Sequence, residues 1–288
     1  MIVLRADLHI HTTASDGKLT PSQVVALAVE RRLDAIAITD HDSFSGVSEA
    51  EHAARNEDLE IIRGAEVSTL FEGRECHLLA YAFDDAELMQ KLLGTQKTKR
   101  VVRAKAIIKK LNQLGFDITF DEVIGEAGIA SIGRPHIARI LVKKGYAADH
   151  RDAFIRYLGN TAGAYHKMDY PDVSEAIECV KAAGGYSVLA HPANNYNFIE
   201  LKQLKDLGLD GVECYHPSHN TYHQRRYLEY CDASDLMATG GSDFHGTIAD
   251  YYHFGVIHCN LEPGNGCLKH STAKDYSKTG TYSEMLCK

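Results

Sequence analysis

The sequence predicts an α/β protein, a closed parallel barrel of seven strand units carrying a helical insertion. Three observations lead there. Short apolar segments alternate with helical stretches along most of the chain. Histidines and carboxylates recur at the ends of those segments, which is where chemistry sits in barrel-like α/β folds. The alternation breaks once, between about residues 95 and 172, where helical sequence runs without strands. At 288 residues the chain suits one large domain, or a core with an inserted subdomain. The expected division is a barrel at 1–94 and 173–256, a helical insertion at 95–172 that caps the substrate, and a polar tail at 257–288.

The elements follow in order. Ile2-Val3-Leu4 opens a first strand that runs into Asp7-Leu8-His9-Ile10-His11. Asp16-Gly17 punctuates a loop, and Thr20-Pro21 supplies an N-cap and a first helical position for a helix to about Arg32. Asp34 to Thr39 is a short apolar strand ending in Asp40-His41-Asp42, followed by a helix over about 45–56. Leu59 to Val67 is a third strand with Glu66, and Glu75 to Tyr81 a fourth with His77. Residues 86–114 read as one long helix rich in Lys and Arg. Short helices are expected at about 121–127, 134–145 and 149–157. Three more strands end in His191-Pro192, His216-Pro217 and Gly241-Ser242-Asp243-Phe244-His245, with helices at about 173–184, 197–207 and 219–231 between them. From about Cys259 the sequence is polar, without periodicity, and is expected to be loosely attached or disordered.

Composition narrows the function classes. No run of 18 apolar residues exists, so no membrane span is expected. The first residues lack the basic flank and apolar core of a secretory leader. Seven cysteines, an odd number without a C-x-x-C pair, fit reduced thiols and a cytoplasmic location. A net charge of −8 argues against a strongly basic nucleic-acid surface. It leaves a phosphate substrate open, because bound cations reverse the sign locally.

Side chains alternate faces along a strand, so Asp7, His9 and His11 are expected on one face, with the two imidazoles roughly 7 Å apart. That spacing lets both converge on one ion. Asp7 is expected to receive a ring N–H and fix a histidine tautomer. The other candidates at strand ends are Asp16, His41, Glu66, His77, His191, Asp243 and His245. All are imidazoles or carboxylates, which favours Zn²⁺, Mn²⁺ or Fe²⁺ over a thiolate site. Asp40 and Asp42 have a second reading as helix caps.

Asp7-x-His9-x-His11, Thr39-Asp40-His41-Asp42, Gly64-x-Glu66, His77, His191-Pro192 and Asp243-x-His245 together resemble the ordered motifs of the PHP (polymerase and histidinol phosphatase) family of metal-dependent phosphoesterases. The resemblance spans about residues 1–250. It implies a distorted (β/α)7 barrel of the TIM type with two or three divalent ions. One ion would be held by His9, His11, Glu66 and Asp243. A second would be held by Glu66, His77 and His191, and a third by Asp16, His41 and His245. Asp7 and Asp40 would be supporting carboxylates. Gly133-Arg134-Pro135-His136 and Tyr215-His216-Pro217-Ser218-His219 are most similar to a bacterial branch that dephosphorylates nucleoside 3′,5′-bisphosphates or AMP, or trims short RNA from its 5′ end. The implied reaction is hydrolysis of a phosphate ester by a metal-activated hydroxide.

Arg134 is the expected anchor for a second phosphate, because Pro135 places Gly133-Arg134 at a helix N-terminus and guanidinium grips phosphate through paired hydrogen bonds. His136, Lys167, His216 and His219 are further substrate contacts to test. His52, His150, His166, His223, His253, His258 and His270 lack strand-end placement and read as surface or packing residues. The basic run Lys97, Lys99, Arg100, Arg103, Lys105, Lys109 and Lys110 reads as a solvated helix face, with RNA guidance as its alternative. The expected partner is a phosphorylated small molecule of nucleotide type or short RNA, with no membrane and no stable protein partner. Rival readings are an amidohydrolase, a histidinol phosphatase and a non-catalytic PHP module. An amidohydrolase would want a metal-bridging Lys and a late lone Asp, whereas Glu66 and the Asp243-x-His245 pair argue for phosphoester chemistry instead.

Overall fold

A computed structural model describes residues 4–128, 131–257 and 259–261. Its strands are β1 (Leu4–Ile10), β2 (Ala35–Ile38), β3 (Glu60–Phe71), β4 (Arg74–Tyr81), β5 (Tyr186–Leu189), β6 (Gly211–Tyr215), β7 (Met237–Gly240) and β8 (Cys259–Leu261). The helices are α1 (Pro21–Glu30), α2 (Val47–Ala53), α3 (Ala86–Gln113), α4 (Phe120–Ala127), α5 (Arg134–Lys143), α6 (His150–Ala153), α7 (Val173–Ala182), α8 (Phe198–Asp206) and α9 (Thr221–Ser234). A π-helical turn, Phe154–Leu158, continues α6. Several helix starts are written locally. Thr20, Thr119, Asn197 and Asn220 each accept a hydrogen bond from the backbone three residues on, where Gln23, Glu122, Glu200 and His223 return the bond.

The strands form one sheet in the order β7-β6-β5-β4-β3-β2-β1-β8. β1, β2 and β3 pair in parallel, and so do β5, β6 and β7. β4 runs against both of its neighbours, which corrects the all-parallel expectation. The cause is local. Glu72 and Gly73 have φ of 49° and 76°, a two-residue turn, and a turn that short joins only antiparallel strands. The two outer parallel strands meet beyond their ends. The His11 amide donates to the Phe244 carbonyl at 2.8 Å and the Phe244 amide to the His9 carbonyl at 3.4 Å. Residues Cys259–Leu261, inside the expected polar tail, pair antiparallel with Leu4–Ala6. From residue 262 on, that expectation lies outside the described residues.

Apolar packing separates into layers. Ala6, Leu8, Ala35, Ala37, Ile62, Leu79, Tyr81 and Val188 form one buried cluster between strands, and the Tyr81 hydroxyl reaches the Leu8 carbonyl at 2.7 Å. Val24, Val25, Ala28, Ile36 and Ile38 join α1 to β2, while Ile177, Val180, Leu201, Leu204, Val212 and Tyr227 join α7, α8 and α9 to the far half of the sheet. α3 belongs to two cores. Met89 and Leu93 pack with the sheet; Ala104, Ile107, Ile108 and Leu111 pack with Val123, Ile137, Leu141 and Leu158 of the helices that follow. Its 28 residues reach about 42 Å at 1.5 Å per residue, so one helix carries the chain from the sheet to the second cluster.

Candidate metal centre

The predicted ligand types do gather. His9, His11, His41, Glu66, His77, His191, Asp243 and His245 come from the ends of β1, β2, β5 and β7 and from the bodies of β3 and β4. Glu66 is the hub and is 1% exposed. Its Oε1 lies 2.7 Å from His77 Nδ1 and 3.0 Å from His191 Nε2. Its Oε2 lies 2.8 Å from His41 Nδ1, 3.3 Å from His11 Nε2 and 3.5 Å from His9 Nε2. Asp243 Oδ1 is 3.4 Å from His9 Nε2 and 3.2 Å from His11 Nε2. Asp16 Oδ1 is 3.3 Å from His245 Nε2, and its Oδ2 is 3.9 Å from His41 Nε2.

The donor set fits divalent cations. His9 Nε2, His11 Nε2, His41 Nδ1 and Glu66 Oε2 are buried and make no well-aligned hydrogen bond, although all three nitrogens lie within 3.5 Å of the Glu66 oxygen. A polar atom left so in a protein interior costs free energy, and here four of them face one another. Ligand atoms lie close enough to share an ion in four groups: His11, Asp16, His41 and His245; His9, His216 and Asp243; His9, His11 and Glu66; and His41, Glu66 and His77. All are nitrogen or oxygen donors. His216, expected as a substrate contact, lies beside the centre, its Nε2 3.3 Å from Asp243 Oδ2.

Charge within the cluster is strongly coupled. Burial pushes the Glu66 carboxyl up, but His41, His77 and His9 outweigh it and hold it well below the usual carboxylate range. Burial pushes His245 down, but Asp16 overrides it and carries the imidazole to about 10. Burial together with His245 and His41 pushes His11 down to about 3. Three site residues also sit at unusual backbone angles: Asp42, His191 and Asp243 have φ of 48°, 29° and 50°. Such left-handed conformations at non-glycine positions gather at functional sites.

Several expectations change. Asp7 does not receive a ring N–H. A register shift between Asp7 and Ile10 interrupts the alternation of β1, and the Asp7 carboxylate accepts from the backbone amides of Ser242 at 2.9 Å and His9 at 3.4 Å. Burial raises its pKa to about 6. The group facing the His9 ring is Glu213, fully buried, with Oε1 3.0 Å from Nδ1 and Oε2 accepting from the His191 amide at 2.6 Å. Sequence reading missed it, although Glu213 on an apolar strand is the buried-carboxylate signal. Asp40 and Asp42 cap no helix, since Gly46 holds the N-cap position of α2. Asp40 instead binds the Thr12 amide and hydroxyl and the Ser15 hydroxyl, and so ties down the loop that carries His11 and Asp16.

The substrate-contact expectations divide. Arg134 lines a cavity of about 210 Å³ that Asp16, His41, His77 and His245 also line. His136 does not reach it, because its Nδ1 accepts from the Gly133 amide at 3.0 Å and closes the N-terminus of α5. His219 is also consumed by backbone, with Nδ1 2.9 Å from the Cys214 carbonyl and Nε2 accepting from the Ala193 amide at 3.0 Å. Lys167 is exposed and does not line the cavity. Arg100 and Arg103, expected on a solvated face, are 8% and 6% exposed and line the cavity. Arg100 Nε meets Asp42 Oδ2 at 2.5 Å. Arg103 donates to the His166 carbonyl and the Tyr170 hydroxyl, and its second terminal nitrogen is buried without a partner. Glu75, also missed, lies between them, 3.1 Å from Arg134. His258 and His270 lie outside the described residues.

The family model for the PHP domain matches residues 7–183. A 5′-3′ exoribonuclease of Haemophilus influenzae is 36% identical over 248 residues, covering 83% of this chain and 89% of that protein. A 3′,5′-nucleoside bisphosphate phosphatase of Chromobacterium violaceum is 31% identical, covering 83% of this chain and 86% of that protein. A solved structure from Bifidobacterium adolescentis, described as a candidate metal-dependent phosphoesterase, superposes with a TM-score of 0.79 at 34% identity, covering 84% of this chain and 87% of that one.

Proposed function

The chain belongs to the PHP domain family, and from that premise we propose that this phosphoesterase hydrolyses a phosphate ester at the 3′ position of a nucleotide whose 5′-phosphate is held by Arg134 and Arg103. The observation that carries this reading is one cavity lined both by Asp16 and the imidazoles of His41, His77 and His245 and by the guanidinium groups of Arg100, Arg103 and Arg134. Such a cavity suits a substrate with two phosphates. The relatives named as a bisphosphate phosphatase and an exoribonuclease both support it, and a 5′-phosphorylated RNA end presents the same pair of groups. RNA trimming is therefore the second reading.

Three ion positions are assigned: His9, His11, Glu66 and Asp243; Glu66, His77 and His191; and Asp16, His41 and His245. His216 is an added donor beside Asp243. Mn²⁺, Zn²⁺ and Fe²⁺ all suit these donors. When bound, such ions neutralise phosphate charge and activate water. The protein's part is to hold the donors. Glu213 orients His9, Asp40 fixes the Thr12–Asp16 loop, and Glu66 joins donors from opposite sides of the mouth. We read the sheet as a distorted closed barrel, supported by the hydrogen bonds between His9, His11 and Phe244. The helices of residues 95–172 are read as a cap over the cavity, supported by their separate apolar cluster. A cytoplasmic location is supported by Cys76, Cys179, Cys214 and Cys231, which are thiols rather than disulfides. No helix among the described residues is long and apolar enough to cross a membrane.

The test is a phosphate-release panel with added Mn²⁺: adenosine 3′,5′-bisphosphate, AMP, a short 5′-phosphorylated RNA and histidinol phosphate. Adenosine 3′,5′-bisphosphate is expected to be turned over fastest. Arg134→Lys is expected to lower kcat/KM on it about tenfold or more, and on an aryl phosphate without a second anion about twofold or less. Equal losses on both would remove the anchor.

Ion binding is also expected to release protons. His245 sits near 10 without an ion and is protonated at pH 7, so a cation must displace that proton. Affinity for Mn²⁺ should rise with pH from 6 to 8. Calorimetry in buffers of different ionisation enthalpy measures the release, and binding without proton loss at pH 7 would contradict the assigned donors.

A further inference from the structure

We propose that Glu75 is a specificity-determining residue whose fixed negative charge limits how tightly the arginine anchor holds a phosphate. The inference rests on the anchor reading above. Glu75 and His77 are two apart on β4, and the Glu75 carboxylate lies beside two guanidinium groups, 3.1 Å from Arg134 and 3.7 Å from Arg103, with His77 Nε2 at 3.9 Å. It is not needed to aim the arginines. Arg134 is held by Asn160 Oδ1 at 2.9 Å and the Leu158 carbonyl at 3.4 Å. Arg103 is held by the His166 carbonyl at 3.0 Å and the Tyr170 hydroxyl at 3.1 Å. What Glu75 adds is charge.

The charge balance among these groups follows directly. Arg100 is matched by Asp42, and Arg103 and Arg134 share Glu75, so three guanidinium groups face two carboxylates. One net positive charge meets a phosphate monoester that carries roughly −1.5 to −2 near pH 7. The anchor therefore under-compensates its ligand. An anchor that bound fully would hold product as firmly as substrate, because both carry the 5′-phosphate, and uniform binding of that kind does not raise turnover. With Glu75 in place, tight binding needs the second phosphate at the imidazoles as well.

The experiment uses the full-length, metal-loaded protein and a non-hydrolysable 5′-phosphonate of adenosine, with binding measured by calorimetry. Glu75→Gln keeps the shape and one acceptor oxygen and removes the charge; it should bind the phosphonate about tenfold more tightly. KM for adenosine 3′,5′-bisphosphate should fall with it, while KM for adenosine 3′-phosphate stays within about twofold. Glu75→Asp should keep wild-type affinity; tightening in both variants would trace the effect to shape and overturn the proposal. Unchanged or weaker affinity in Glu75→Gln overturns the role of Glu75 while Arg134→Gln still weakens binding. No effect of Arg134→Gln would instead remove the anchor itself.

Discussion

Glu66→Gln is expected to lower kcat/KM by at least about 10³-fold and to reduce the bound metal, with the fold retained. Five imidazole nitrogens approach the two oxygens of this one buried carboxylate within 3.5 Å. An amide of the same shape carries no charge, and its NH₂ end cannot serve as a donor atom to a cation. The positions on both sides of Glu66 are weakened together, which is why one substitution should cost more than loss of a peripheral ligand such as His191. Glu66→Asp keeps the charge but shortens the reach, and should retain partial activity and partial metal content. Elemental analysis, a thermal melt and kinetics on the same samples make the test. A Glu66→Gln protein with wild-type metal content and activity within tenfold would refute the hub.

Gly241→Ala is expected to be the most damaging small substitution outside the ligand set. A Cβ built at Gly241 would lie 2.4 Å from His9 Cβ and 2.4 Å from the His9 backbone nitrogen. Neither atom belongs to a flexible side-chain end, so β1 or the segment after β7 must move. Overpacking of this kind costs about 1–3 kcal/mol, and backbone clash puts this site at the upper end. For a chain of this size that is a fall in Tm of about 6–12 °C. Activity should fall about 10²-fold, because His9 moves with the backbone and misplacement near 1 Å has that effect. Gly94→Ala is the control. It lies inside α3 with its nearest contact 3.6 Å away, and should be neutral or slightly stabilising. A Gly241→Ala protein with unchanged Tm and activity would mean that the seam between His9 and Gly241 is looser than it stands here.

The amino-acid order alone carried the alternation of strands and helices, and it carried the ligand types, because both are local. His9 and His11 are two apart on a strand, Thr20-Pro21 starts a helix, and His191 and Asp243 follow apolar runs. What it could not carry are contacts between residues far apart in the chain. Glu213 faces His9 from a distance of 204 positions, and Glu75 faces Arg134 from 59. The direction of Arg100 and Arg103 was equally hidden. A helix rich in Lys and Arg looks solvated until other elements cover one of its faces, and here Asp42, Ser68 and Tyr170 turn those two cations inward.

Local sequence thus determined which chemical groups stand at the strand ends, since periodicity and capping act over a few residues. Tertiary structure decided which groups became partners: the reversal of β4, the pairing of Glu213 with His9, the withdrawal of His136 and His219 into backbone hydrogen bonds, and the meeting of imidazole and guanidinium groups in one cavity. Burial and charge compensation made those choices, and both depend on neighbours that only folding supplies.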